Sequence, residues 1–371
     1  MTTTPLRTGR TPRLPAAVLR AVTLAACAPY LALKAVWLGG GHLGIPAASP
    51  LRRDGGTLMA FNGLTVLMDA AVIVLAFLLT RPWGRRVPGW LLAVPMWCAT
   101  GLLAPIAVVF PVQAVGAAFT GGTGTGAHGG GADALVAPWV WTVVYTGFIV
   151  QGLALGALFV RYARERWGHL WRGPLGALPD GPARSAARLT AGAVAVLALL
   201  PASLYVWWAA GGTAGLPAVR IAARTLDDRL TDAGFALFTL VTVAGAGLLA
   251  YGGGARRRGG RLPLLVPLAA AWTGSGALAG WGGWLLLTAL AAPVGDPSLP
   301  TALMNLTYAV QMIVGTLVAA AGAHFFTVRA ADGTGRGDGP AYGEVTVRAD
   351  GMTRTGGAER TGGAPGAVRC G

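Results

Sequence analysis

The chain has 371 residues, of which 54% are hydrophobic and only 12% charged, where a soluble domain carries roughly a quarter of charged residues. That deficit excludes an ordinary water-soluble globule. The net charge of +15 does not mark a nucleic-acid binder, because the arginines sit in short segments flanking apolar runs instead of along one face.

Residues 1–15 carry Arg7, Arg10 and Arg13 among Thr and Pro and read as a basic cytoplasmic arm. Eight apolar runs follow, near 16–38, 58–80, 88–110, 136–160, 189–210, 233–252, 262–287 and 301–326. Each is about the length needed to cross a hydrocarbon core roughly 30 Å thick. The expected fold is therefore all-α, a polytopic transmembrane bundle of about eight spans. A first four-helix half occupies 16–160 and a second 189–326, with a basic cytoplasmic loop at 161–188 between them. The loop at 121–131, GGTGTGAHGGG, reads as a flexible linker, and the tail at 327–371 reads as disordered.

Arginine asymmetry sets the expected orientation. With the N-terminus inside, the inner segments hold sixteen arginines and the outer loops five, which favours N-in, C-in. Of the 29 basic residues only Lys34 is lysine. With the heavy use of Ala and Gly, this suggests GC-rich codons and a bacterial cytoplasmic membrane. Leu24–Cys27 has the form of a lipobox, but Arg20 interrupts the would-be signal and the apolar run continues to Leu38.

The end of the first run, LKAVWLGGGHLGIP, and the end of the fifth, LYVWWAAGGTAGLP, match at a constant offset of 171. Leu33, Trp37, Gly40, Gly41, Gly44 and Pro46 align with Leu204, Trp208, Gly211, Gly212, Gly215 and Pro217. The matches fall at topologically equivalent places and point to a parallel 4+4 repeat. Chance matching in a chain with 58 glycines is the competing explanation. Trp37 and Trp208 are expected at the outer headgroup level.

Few residues could carry chemistry. Asp69, the only acid inside an apolar run, lies near the middle of the second, where a charge costs about 2.5–3.5 kcal/mol. Asn62, Thr65 and Asp69 share one helix face, and Tyr30 and Lys34 share another. By depth Lys34 matches Asn62 better than Asp69, and a lysine so near the interface could also snorkel outward. The eighth run offers Asn305 and Tyr308 on one face with Gln311 nearby. The fourth offers Tyr145 with Thr142, and Gln151 on another face. Such groups usually join helices. Glycines of the seventh run, Gly274, Gly276, Gly280, Gly282 and Gly283, are either close-packing positions or a helix break.

Asp227, Asp228 and Asp232 form a DDxxxD string that resembles, over six residues, the diphosphate-binding acids of isoprenoid enzymes. No second metal motif accompanies it, and the apolar stripe Val219, Ala222, Leu226 and Leu230 instead predicts a short interfacial helix. His42, His128, His169 and His324 fall on opposite sides of the membrane, and Cys27, Cys98 and Cys370 have no ligand spacing. No catalytic triad, P-loop, cofactor or metal site is read from the chain. The expectation is a non-enzymatic membrane protein: a small-solute or lipid permease, or an accessory subunit of a membrane complex. Its partners would be the bilayer and a membrane protein or a second copy of itself. The alternative is a membrane-embedded enzyme acting on lipid or isoprenoid substrates.

Overall fold

The computed structural model describes residues 14–47, 49, 52, 55–120, 136–171, 173–175, 182–252, 262–292 and 295–335. Expectations that fall on residues 1–13, 121–131, 253–261 and 336–371, including His128 and Cys370, lie outside the described residues. Residues 1–331 form one compact unit and 332–371 a second, of which only the first four residues are described.

Among the described residues the helices are α1 (Ala16–Leu38), α2 (Gly55–Leu78), α3 (Gly89–Thr120), α4 (Pro138–Trp167), α5 (Pro182–Ala209), α6 (Ala218–Ala222), α7 (Leu226–Tyr251), α8 (Leu265–Ala291) and α9 (Ala302–Gly335). All eight expected runs are helical. Six helices are long and apolar enough to cross a membrane. The exceptions are α2, whose apolar stretch is Asn62–Leu78, and α8. Five glycines in the middle of α8 dilute its hydropathy, and that stretch is buried against other helices instead of facing outward. Large apolar side chains such as Leu67, Val74, Trp90, Leu153, Val196, Leu199 and Leu240 point away from the bundle. A belt of this kind is solvated by lipid, not water.

Several boundaries move from where periodicity placed them. The third helix does not stop at Pro111 but runs to Thr120 with Pro95, Pro105 and Pro111 inside it. The basic loop at 161–188 is largely helix: α4 continues to Trp167 and α5 begins at Pro182. The last helix passes residue 326 and ends at Gly335, so residues 327–335 are helical, and the rest of the expected disordered tail lies outside the described residues. Helix α8 is continuous, which rules out a break at its glycines.

The DDxxxD string also lies elsewhere than expected. A single interfacial helix does not form. Instead α6 ends at Ala222 and Thr225 caps a new helix, α7. The Thr225 hydroxyl accepts from the Asp228 amide while the Asp228 carboxylate accepts from the Thr225 amide. That reciprocal pair satisfies two backbone donors, and Asp227 and Asp228 sit where the helix dipole favours negative charge.

The repeat is visible in hydrogen bonding. The Trp37 indole donates to the Leu43 carbonyl at 2.8 Å, and 171 residues later Trp208 donates to Ala214 at 2.9 Å. The Gly41 amide reaches the Val36 carbonyl at 2.8 Å, and Gly212 reaches Trp207 at 2.9 Å. The Gly44 carbonyl accepts from the Ala137 amide at the start of α4, while the Gly215 carbonyl accepts from the Thr301 hydroxyl at the start of α9. One cap is built twice. The surroundings differ, however: Trp208, at the end of α5, is fully buried against the second half, and its neighbour Trp207 faces outward. The indole N–H of Trp208 is already paired inside the protein, so the ring needs no water.

Gly44 (φ 73°) and Gly215 (φ 82°) hold the left-handed backbone that each cap requires. A Cβ there would lie 2.4 Å from Val140 Cγ2 and 2.5 Å from Leu303 Cδ2 respectively. Gly44→Ala and Gly215→Ala are therefore expected to destabilise the protein by similar amounts, about 1–2 kcal/mol each. Thermal unfolding of the two variants in the same detergent checks this. A large cost at one position and none at the other would show that the caps are not equivalent.

The halves meet where α3 crosses α8. Gly101 and Gly276 face each other there, and a Cβ on Gly101 would stand 2.1 Å from the Gly276 carbonyl carbon. On either side the Trp97 indole donates to Ser275 Oγ (3.0 Å) and the Trp281 indole to the Leu102 carbonyl (3.1 Å). At the loop end the Gln113 amide near the end of α3 donates to the Asp227 carbonyl and to Thr231 at the start of α7. The end of α3 thus meets the start of α7, so the halves run in the same sense, as a parallel repeat requires.

Candidate functional site

A polar seam runs down the first half between α1, α2 and α4. On α1, Thr23, Cys27, Tyr30 and Lys34 fall at spacings of four, three and four residues and form one stripe. On α2, Asn62, Thr65 and Asp69 do the same. The two helices run antiparallel, which sets Lys34 beside Asn62, Tyr30 beside Thr65 and Cys27 toward Asp69. Asn62 and Asp69 are separated by about 10 Å along the helix.

Lys34 does not snorkel. It is buried, and its ammonium donates to Asn62 Oδ1 at 2.5 Å. The rings of Tyr30 and Trp37 lie 4.8 and 4.9 Å from the nitrogen and add cation–π attraction. Outward exit would expose the ammonium to the headgroups but forfeit all three contacts. Tyr30 hydrogen-bonds Thr65.

Asp69 is the only acid among the buried described residues. The Gln151 side chain of α4 hydrogen-bonds its carboxyl, while Oδ2 has no hydrogen-bond partner among the described residues. Helix α4 can approach here because Gly147, one turn above Gln151, packs on the Ala26 carbonyl of α1. Gln151 was not among the residues expected to join this group. Its signal was the small residue four positions earlier, which marks a close helix contact. Tyr145 stands apart from the seam, joined to Tyr30 through Phe148 by ring contacts of 6.4 and 5.1 Å. The Thr142 hydroxyl bonds within its own helix, to the Pro138 carbonyl.

The second half carries a different polar column. The Tyr205 hydroxyl donates to Gln311 Oε1 at 2.8 Å, and both residues are buried. Tyr308 is buried beside them and hydrogen-bonds Arg220 toward the loop end. Gln311 Nε2 has no partner among the described residues. Asn305, on the Tyr308 face, donates to the Pro300 carbonyl, and its Oδ1 has no partner among the described residues. Tyr205 was not among the candidate residues read from the sequence, although the 171-residue offset places it opposite Lys34.

The acids of the DDxxxD string are used by the fold. Asp228 caps α7, and Asp232 pairs with Arg224, which also donates to the Trp208 carbonyl at 2.7 Å. Arg229 donates to the Ala209 carbonyl. These cations satisfy the last carbonyls of α5, where the helix dipole favours them. No cluster of three metal-ligating side chains occurs among the described residues.

Between the halves lies a narrow cleft of about 50 Å³, lined by Pro105, Ile106, Phe110, Tyr145, Phe235 and Trp281 among others. Each half contributes two aromatic rings. No protein-family model, no curated protein and no solved structure matches the chain.

Proposed function

We propose that this multi-pass membrane protein is a non-enzymatic permease for small solutes in a bacterial cytoplasmic membrane, with Asp69 as the group that takes up and releases a proton during the cycle. The observation that carries the reading is the unpartnered Oδ2 of Asp69, buried mid-helix within a line of polar side chains. An acid kept at such depth is costly unless its charge state is used, and intramembrane carboxyls commonly serve as proton relays. Lys34, one cation within electrostatic reach of Asp69, supplies a field that a bound or released proton would alter.

The enzyme alternative loses its main support, since Asp228 and Asp232 are engaged in a helix cap and an ion pair. In proteoliposomes with an imposed membrane potential and a pH-sensitive dye inside, the unaltered protein is expected to take up protons. Asp69→Asn, nearly the same shape but unable to ionise, is expected to reduce uptake to the protein-free rate, and Asp69→Glu to retain part of it. Uptake by Asp69→Asn equal to that of the unaltered protein, or none by the unaltered protein, overturns the role of Asp69.

A further inference from the structure

We propose that the second half holds a binding site for a small uncharged molecule bearing a hydrogen-bond acceptor oxygen, centred on the Gln311 amide and reached from the cleft between the halves. The proposal rests on the permease reading and names the class of solute. It divides the labour: the first half holds the exchangeable charge and the second contacts the cargo.

Gln311 is fully buried, its oxygen is occupied by Tyr205, and its Nε2 donor faces no acceptor among the described residues. A buried donor left unpaired is expensive, and an acceptor from outside the chain removes that cost. The column is rich in donors: Gln311 Nε2, the hydroxyls of Tyr205 and Tyr308, and Arg220. Its one nearby acid, Asp232, is already paired with Arg224. Arg220 is engaged with Tyr308 at the loop end. Among the described residues no charged side chain hydrogen-bonds Gln311 itself, which argues for a neutral ligand.

The route follows ring contacts. Phe235 lies 5.1 Å from Tyr205 and 5.7 Å from Trp281, and both Phe235 and Trp281 line the cleft. A molecule in the cleft is thus one aromatic ring away from the Tyr205–Gln311 bond. The cleft volume of about 50 Å³ restricts that molecule to a few heavy atoms.

The test uses urea and glycerol as probes, with stopped-flow light scattering of proteoliposomes at equal pH on both sides. The unaltered protein is expected to admit at least one of them faster than protein-free vesicles. Gln311→Met, similar in volume but unable to donate, is expected to lower that rate about tenfold, the loss of one good hydrogen bond. Ile106→Trp, which fills the cleft from the other half without touching Gln311, is expected to do the same and covers the case in which Gln311→Met misfolds. Neither probe faster than protein-free vesicles, or water alone accelerated, overturns the proposal, as does an unchanged rate in both variants. Protein that moves protons but neither probe sinks only this inference. Protein that passes a probe but no protons sinks only the role of Asp69.

Discussion

Gly101→Ala is expected to cripple the protein, with a loss of about 3 kcal/mol or more, at the upper end of overpacking costs. The new methyl would meet backbone, not a side chain that can swing away: the Gly276 carbonyl carbon and oxygen both lie 2.1 Å from its position. Relief requires α3 and α8 to separate by about an ångström or more. That movement would stretch the Trp97–Ser275 and Trp281–Leu102 hydrogen bonds, which stand on either side of the crossing. Because this crossing joins the two halves, the damage should spread to the cleft between them. Gly247→Ala provides the control, since nothing lies within 4 Å of its added Cβ. There alanine should be neutral or favourable by up to about 1 kcal/mol, the ordinary helix preference. Thermal unfolding in detergent compares the two. Equal stability of Gly101→Ala and Gly247→Ala would remove the crossing as the junction of the halves.

The second large effect concerns Lys34. Asn62→Leu should cost about 3 kcal/mol, because it strands a buried ammonium that retains only the Tyr30 and Trp37 rings. Lys34→Met should cost less, about 1–2 kcal/mol, since it leaves only a neutral amide oxygen unpaired. With both replaced no buried ammonium is left stranded, so the double variant should be more stable than Asn62→Leu alone. The cycle isolates the pair from the general effects of each substitution. Additive single costs would mean that Lys34 finds water or another acceptor, and the inward orientation would be wrong.

Much of the seam was legible beforehand because helical periodicity is local. Spacings of three, four and seven residues decide which side chains share a face, so Asn62, Thr65 and Asp69 form one group, as Tyr30 and Lys34 do. Depth along a helix is equally local, at 1.5 Å per residue, and it paired Lys34 with Asn62. Tyr205 was not read as a candidate, and Gln151 was read on a face apart from the seam, for one shared reason. Each belongs to a site only through the rotation of its helix against a neighbour, and that rotation is set by packing at residues such as Gly147, Gly282 and Gly315. The acids at 227–232 show the same limit from the other side. The apolar stripe read through them is divided between two helices, because Thr225 and Asp228 form a cap that begins α7 after α6 has ended at Ala222.

By itself the sequence determined that this is an all-helical chain built for lipid, where its long helices lie, which acid is buried among them, and that its first and fifth helices end in one recurring cap. Those properties follow from composition, apolar run length and short-range spacing, which survive whatever the rest of the chain does. Only the tertiary structure decided that Lys34 turns inward, that α8 stays whole, that Trp208 is buried, and that the Gln311 donor is left without an acceptor. These depend on contacts between different helices, from 28 positions apart for Lys34 and Asn62 to 106 for Tyr205 and Gln311, where the approach of two backbones at a few glycines determines which polar atoms meet.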